Sequence, residues 1–280
     1  MKRRKFIEMA LSFLANSLFQ NNIFGNDDEG LSLASINGYI ERDGMSANTI
    51  LNNIEVLLNS EREVDLILTP EYSFYNEKEP LCLIKNNGEY FLDTESKFIK
   101  NKIERVRELC DKNKTNILLG TFAEKDETNE FSNTLLYIDF SGKIIGRKRK
   151  FHKLEDNYIL KAKNGKDYKI LPLICGELFF NKKIPDEKFE ILAYTANFGG
   201  CDFSILSRYL QGLLDSVDEQ AILIAIKNFN EYFNKYYKNL RKGKIIISDG
   251  AKENLGAILT YDLKPFKYYK QTNEYVLARF

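Results

Sequence analysis

The chain has 280 residues, 44% hydrophobic and 29% charged, which supplies a sizeable core and excludes a disordered or collagen-like protein. Its 41 Lys and Arg against 40 Asp and Glu leave a net charge of +1, so no global field gathers nucleic acid or an anionic surface. A single histidine, His152, and four scattered cysteines, Cys82, Cys110, Cys175 and Cys201, with no CxxC pair, remove His-rich metal sites, zinc ribbons and dense disulfide frameworks.

The opening MKRRKFIEMALSFLANSLF sets Lys2, Arg3, Arg4 and Lys5 before an apolar stretch that is too short to span a bilayer, which takes about 20 apolar residues. Those are the proportions of an export signal. Arg3-Arg4 followed by Lys5, Phe6 and Ile7 also resembles the twin-arginine signal. Residues 1–27 are therefore read as an export signal used by the twin-arginine machinery, with a periplasmic destination. A cytoplasmic protein with an amphipathic N-terminal helix is the alternative.

From Leu31 the chain alternates strand-like and helix-like runs, the pattern of an α/β sheet. LSLASINGYI (31–40) reads as a strand and SANTILNNIEVLLNSE (46–61) as an amphipathic helix with Ile50, Ile54, Leu57 and Leu58 on one face. VDLILT (64–69) is a short buried strand stopped by Pro70, which cannot donate to a ladder. Residues 72–92 show no period and read as a surface loop. A second helix follows over 94–113, then a buried strand over NILLGTF (116–122).

SNTLLYID (132–139) and KIIGRKRKF (143–151) flank Ser141-Gly142, a hairpin signal, and a further hairpin is expected at Asn164-Gly165 before DYKILPLIC (167–175). ILAYTA (191–196) reads as a strand and 204–218 as helical. AILIAIKN (221–228), KIIISD (244–249) and GAILTYDL (256–263) read as strands. No Pro/Gly/Ser-rich linker divides the series, so 28–280 is read as one domain.

Three reactive side chains stand just beyond apolar strands: Glu71 after VDLILT-Pro70, Lys150 at the end of KIIGRKR, and Cys175 at the end of KILPLI. In open α/β sheets, ligand sites collect at the carboxyl ends of strands. A free thiol is only a few per cent thiolate at neutral pH, so a nucleophilic cysteine needs a base or a nearby cation. Glu71 can take the proton. Lys150 can stabilise the thiolate or the oxyanion formed on a carbonyl, with the Gly176 N–H as a second donor. Neither role requires histidine.

LILTPEYSF, GRKRKFHKL and LPLICGELFF, in that order, resemble the glutamate, lysine and cysteine motifs of the nitrilase, or carbon-nitrogen hydrolase, superfamily. LSLASINGYI, the hairpin segment before Lys150 and EQAILIAIKNFN, taken as a late strand ending in asparagine, extend the resemblance to about residues 31–280. It implies an α/β fold built as a four-layer α-β-β-α sandwich, nitrilase-like. It also implies Glu71 as general base, Lys150 as stabiliser of the tetrahedral intermediate, Cys175 as the nucleophile that becomes a thioester, a homodimer packed helix to helix, and no cofactor or metal.

The implied activity is hydrolysis of a non-peptide carbon-nitrogen bond in a small amide, carbamoyl amine or nitrile. ICGE and TANFGG are also similar to apolipoprotein N-acyltransferase, so acyl transfer is one alternative, and a catalytically silent binding protein is another. The chain departs from the family at Gly176, where a large residue is frequent, which predicts an open wall beside the nucleophile. No acid is assigned to the auxiliary glutamate role beyond the lysine; Glu155 and Asp156 are the nearest. Glu177 is read either as support for the lysine or the cysteine loop or, equally, as a helix-start carboxylate. His152 is read as structural, and Asn197 as a substrate contact or a turn former. The aromatic-basic stretch 231–244 is read as a solvated face, with no nucleic-acid partner.

Overall fold

The computed structural model describes residues 30–38, 46–74, 83–86, 89–125, 130–154, 158–180, 187–197, 203–213, 219–236, 240–249, 256–260, 263 and 265–280. The export segment expected over 1–27, Cys82, Cys201, Glu155 and Asp156 lie outside these.

Two sheets form the centre of the molecule. The first has seven strands in the order β13-β14-β1-β2-β5-β6-β7: Tyr268–Gln271, Tyr275–Arg279, Ser32–Ile36, Leu66–Leu68, Asn116–Lys125, Phe131–Ile138 and Ile144–Arg149. The second has five in the order β12-β11-β10-β9-β8: Ala257–Thr260, Leu240–Asp249, Phe189–Ala196, Asp167–Ile174 and Ile159–Lys161. β1, β2 and β5 run parallel, as do β9, β10 and β11. The remaining pairings are antiparallel, including both hairpins expected at Gly142 and Gly165. Both glycines have positive φ, 74° and 78°, a conformation that costs residues with a Cβ more than it costs glycine.

Strand alternation explains why the sheets stack. Along β5, Ile117 and Leu119 face one way and Leu118 the other; along β10, Leu192 and Tyr194 oppose Ile191 and Ala193. A strand with apolar residues on both faces must be covered on both. Leu33, Leu66, Leu118, Ile170, Ile191 and Ile246 meet between the two sheets. The outer face of the first sheet is covered by α1 (Ser46–Ser60) and α2 (Lys97–Asn113). That of the second is covered by α4 (Phe203–Leu210) and α5 (Glu219–Phe233), with the short α3 (Glu177–Phe180) beside them. The result is the expected α-β-β-α sandwich. Each fully buried Leu, Ile or Phe in these layers contributes roughly 1.5–3 kcal/mol relative to exposure.

The amphipathic helices begin and end where local chemistry dictates. Ser96 caps α2 by accepting the Ile99 N–H at 3.2 Å, satisfying a donor that has no partner within the helix. Lys114 closes it in the left-handed conformation, its N–H returning to the Cys110 carbonyl. Cys110 is a buried member of the helix–sheet core, as expected.

Two expectations are corrected. AILIAIKN belongs to helix α5, not to a strand: Ile222, Ile226, Phe229 and Phe233 are buried while Leu223 and Ile224 are 38% and 51% exposed. An eight-residue apolar run has no distinguishing period, and the helical repeat shows only over the fifteen residues of the element. The asparagine-ended strand likened to this segment is therefore not there. The segment read as a loop over 72–92 contains a two-stranded hairpin, β3 (Leu83–Asn86) and β4 (Glu89–Leu92).

Candidate active site

Each of the three motif turns holds a non-glycine residue with positive φ. Tyr72 (57°) follows Glu71, Phe151 (62°) follows Lys150, and Cys175 itself sits at 43°. Left-handed backbone costs a residue bearing Cβ free energy and persists only where its surroundings impose it. Here the surroundings are hydrogen bonds between turns. The Cys175 N–H donates to Thr195 O at 2.7 Å and the Glu71 N–H to Ala196 O at 3.2 Å. The Thr195 hydroxyl donates to Thr69 O at 2.7 Å. The end of β10 thus ties the end of β2, in one sheet, to the end of β9, in the other. Below the Glu71 turn, the Thr69 hydroxyl accepts from the Ser73 hydroxyl at 2.8 Å and the Gly120 N–H at 3.0 Å.

The structure brings Glu71, Lys150 and Cys175 together. Lys150 Nζ donates to Glu71 Oε1 at 3.0 Å, and the Cys175 thiol lies close enough to the same carboxyl group for each to shift the other's pKa. Glu71 is buried; Lys150 and Cys175 are partly exposed. Burial pushes the Glu71 carboxyl above its ordinary range, opposed by the charge and hydrogen bond of Lys150 and by the Cys175 hydrogen bond, while Asp249 on β11 adds to the rise. Burial works against the Lys150 ammonium, but Glu71 and Cys175 outweigh it and hold its pKa above the usual lysine value.

The Cys175 thiol is pushed up to about 11, first by burial and then by the Glu71 charge; Lys150 and a hydrogen bond from the Asn197 backbone N–H oppose the rise. At neutral pH Cys175 is therefore a thiol, so it reacts by handing its proton to a base rather than as a standing thiolate. Asn197 acts on Cys175 through its main chain.

Next to these three residues lies a buried ion pair. Lys148 Nζ donates to Glu177 Oε1 at 2.6 Å and to the carbonyls of Arg149 and His152 at 2.7 and 3.0 Å. Glu177 Oε1 also accepts the Phe151 N–H at 2.7 Å, and Oε2 accepts the Ile174 N–H at 2.8 Å. Glu177 thus joins the lysine turn to the cysteine turn, the first of its two readings, while also opening α3. His152 is exposed and contributes its carbonyl, in keeping with its structural reading.

Two aromatic rings stand against Gly176, beside Cys175. A Cβ on Gly176 would lie 3.3 Å from Phe151 Cζ and 3.4 Å from Phe180 Cδ2, and both rings are exposed. Sequence reasoning passed over Asn133, whose Nδ2 donates to Glu71 Oε1 at 2.8 Å, and Lys148. Both lie in the segment leading to Lys150, and the signal that finds them is a polar side chain alternating into a buried strand face.

Among the described residues no group of three or more His, Cys, Asp or Glu side chains is arranged to hold a metal ion, and no helix is long and apolar enough to cross a membrane.

The architecture is that of solved nitrilase-fold proteins. A carbon-nitrogen hydrolase from Helicobacter pylori G27 aligns with a TM-score of 0.56 at 13% identity, over 89% of this chain and 88% of that one. Nit3 of Saccharomyces cerevisiae, a member of branch 10 of the nitrilase superfamily, aligns at 0.54 and 14%, over 89% of each chain. An amidase mutant from Nesterenkonia sp. AN1 carrying the acetamide moiety of fluoroacetamide on its active-site cysteine aligns at 0.53 and 10%, over 92% of this chain and 93% of that one. No curated protein matches the sequence. Residues 33–197, more than half of the chain, match the carbon-nitrogen hydrolase family. The protein belongs to that family.

Proposed function

We propose that the protein hydrolyses a non-peptide carbon-nitrogen bond in a small amide, carbamoyl amine or nitrile, with Glu71 as base, Lys150 as electrostatic stabiliser and Cys175 as nucleophile. The supporting observation is the single carboxylate that meets both the Lys150 ammonium, at 3.0 Å, and the Cys175 thiol. For an amide, Glu71 takes the thiol proton as Cys175 Sγ forms a bond to the carbonyl carbon. The oxygen that becomes negative is stabilised by the Lys150 ammonium and the Gly176 N–H. The carbon-nitrogen bond then breaks, the leaving nitrogen takes the proton from Glu71, and ammonia or an amine departs from a thioester. Water, deprotonated by the same carboxylate, attacks the thioester; the carbon-sulfur bond breaks, the proton returns to Cys175, and the carboxylic acid leaves.

The test is ammonia release from a panel of short amides, carbamoyl amines and nitriles, with intact-mass detection of a Cys175 adduct after incubation with fluoroacetamide. Turnover of at least one class and an adduct absent from Cys175→Ala are expected. No turnover across the panel and no adduct would defeat the reading.

The exposed Leu223 and Ile224 on the outer face of α5 support a homodimer packed helix to helix, also proposed here.

A further inference from the structure

We propose that Asn133 is a positioning residue that fixes the Glu71 carboxylate relative to Lys150, so that one carboxylate oxygen is held by nitrogen donors and the other is left for the Cys175 proton. The inference rests on the reading of Glu71 as the base. Asn133 lies near the start of β6, beside the turn that follows β7, and holds both motifs at once. Its carbonyl accepts the Lys150 N–H at 2.9 Å, and its Nδ2 donates to Glu71 Oε1 at 2.8 Å. Lys150 Nζ reaches the same Oε1 at 3.0 Å. Two donors on one oxygen restrict rotation of the carboxylate and orient its remaining lone pairs.

The other half of the Asn133 amide separates this role from packing. The residue is only 5% exposed, and its Oδ1 is buried with no hydrogen-bond partner among the described residues. An unpaired buried acceptor destabilises a fold, so an apolar side chain of similar volume would serve packing better. The amide earns its place through the donor it offers Glu71. Around that carboxylate stand the Lys150 ammonium, the Cys175 thiol and, acting through its charge, Asp249.

The test needs no knowledge of the natural substrate. The rate of Cys175 alkylation by iodoacetamide is followed by peptide mapping from about pH 4 to about pH 9, upward from the ordinary carboxyl range. The comparison includes wild type, Asn133→Leu, Asn133→Ser and Thr134→Val. Thr134 is buried, and its hydroxyl donates locally to Ser132 O, so its variant controls for a disturbed strand.

Removing a donor to the charged carboxylate raises its pKa, so both Asn133 variants should show the acid limb moved up by about one pH unit. Their plateau should fall about tenfold through loss of orientation. Thr134→Val should follow wild type. Should Asn133→Leu fail to fold, the smaller Asn133→Ser carries the same expectation. An acid limb and plateau matching wild type in a folded Asn133 variant overturn the proposal while leaving the hydrolase reading intact. A wild-type profile with no acid limb defeats the assignment of Glu71 as base, and this inference with it.

Discussion

At the scale of single residues, the site is built around one buried carboxylate whose partners oppose the cost of burying it. Burial makes Glu71 resist ionising, and the charge and hydrogen bond of Lys150 oppose that rise. The sulfur is held as a thiol by burial and by the Glu71 charge, so its reactivity depends on a proton transfer inside the site. Glu71→Gln should therefore lower alkylation of Cys175 by about 100-fold at neutral pH, the lower end of what a positioned base supplies. The deficit should close as pH rises toward the thiol pKa. Because the variant also removes the charge that raises this pKa, the curves should meet below about 11. A deficit constant with pH would mean that Glu71 acts by shape alone. The candidate triad is legible in the sequence because its members stand at strand ends in recognisable words. Asn133 is not, since a polar residue in a strand announces nothing until the strand beside it is known.

At the scale of elements, the lysine and cysteine turns are joined by Lys148 and Glu177, an ion pair sequestered from water. Such a pair is weak evidence for stability, since desolvation offsets much of its attraction, but removing one partner leaves an uncompensated buried charge. Glu177→Gln should accordingly cost about 3–5 kcal/mol in urea denaturation. Lys148→Met combined with Glu177→Gln should recover part of that loss while remaining impaired in Cys175 alkylation, because the Phe151 and Ile174 N–H groups lose their anionic acceptor. A single variant as stable as wild type would show that the pair does not hold the turns together. The sequence reading held both roles of Glu177 open, because an acid two residues past a strand end opens a helix as readily as it braces a neighbour. Helix α5 shows the opposite error. Its apolar run reads locally as a strand, and only the spacing of its buried members, Ile222, Ile226, Phe229 and Phe233, marks it as a helix.

At the scale of the whole molecule, two sheets with apolar residues on both faces can be covered only by each other and by helices outside. That leaves α5 as an outer element carrying Leu223 and Ile224 toward solvent. If they are covered by a second copy of the chain, Leu223→Glu combined with Ile224→Glu should give a folded monomer by light scattering where wild type is a dimer. A wild-type monomer, or a variant dimer, would remove α5 from the interface. The alternation of short apolar strands with amphipathic helices, the hairpin glycines and the ordered Glu, Lys and Cys words are properties of local sequence. They determined the α/β class and the identities of the three candidate catalytic groups, because strand period, turn conformation and side-chain chemistry act over a few residues. Only the tertiary structure decided that β10 bridges the turns, that Asn133 and Lys150 share one oxygen of Glu71, and that Glu177 braces two motifs. Those relations depend on strand neighbours distant in the chain, whose pairing is set by the packing of both sheets together.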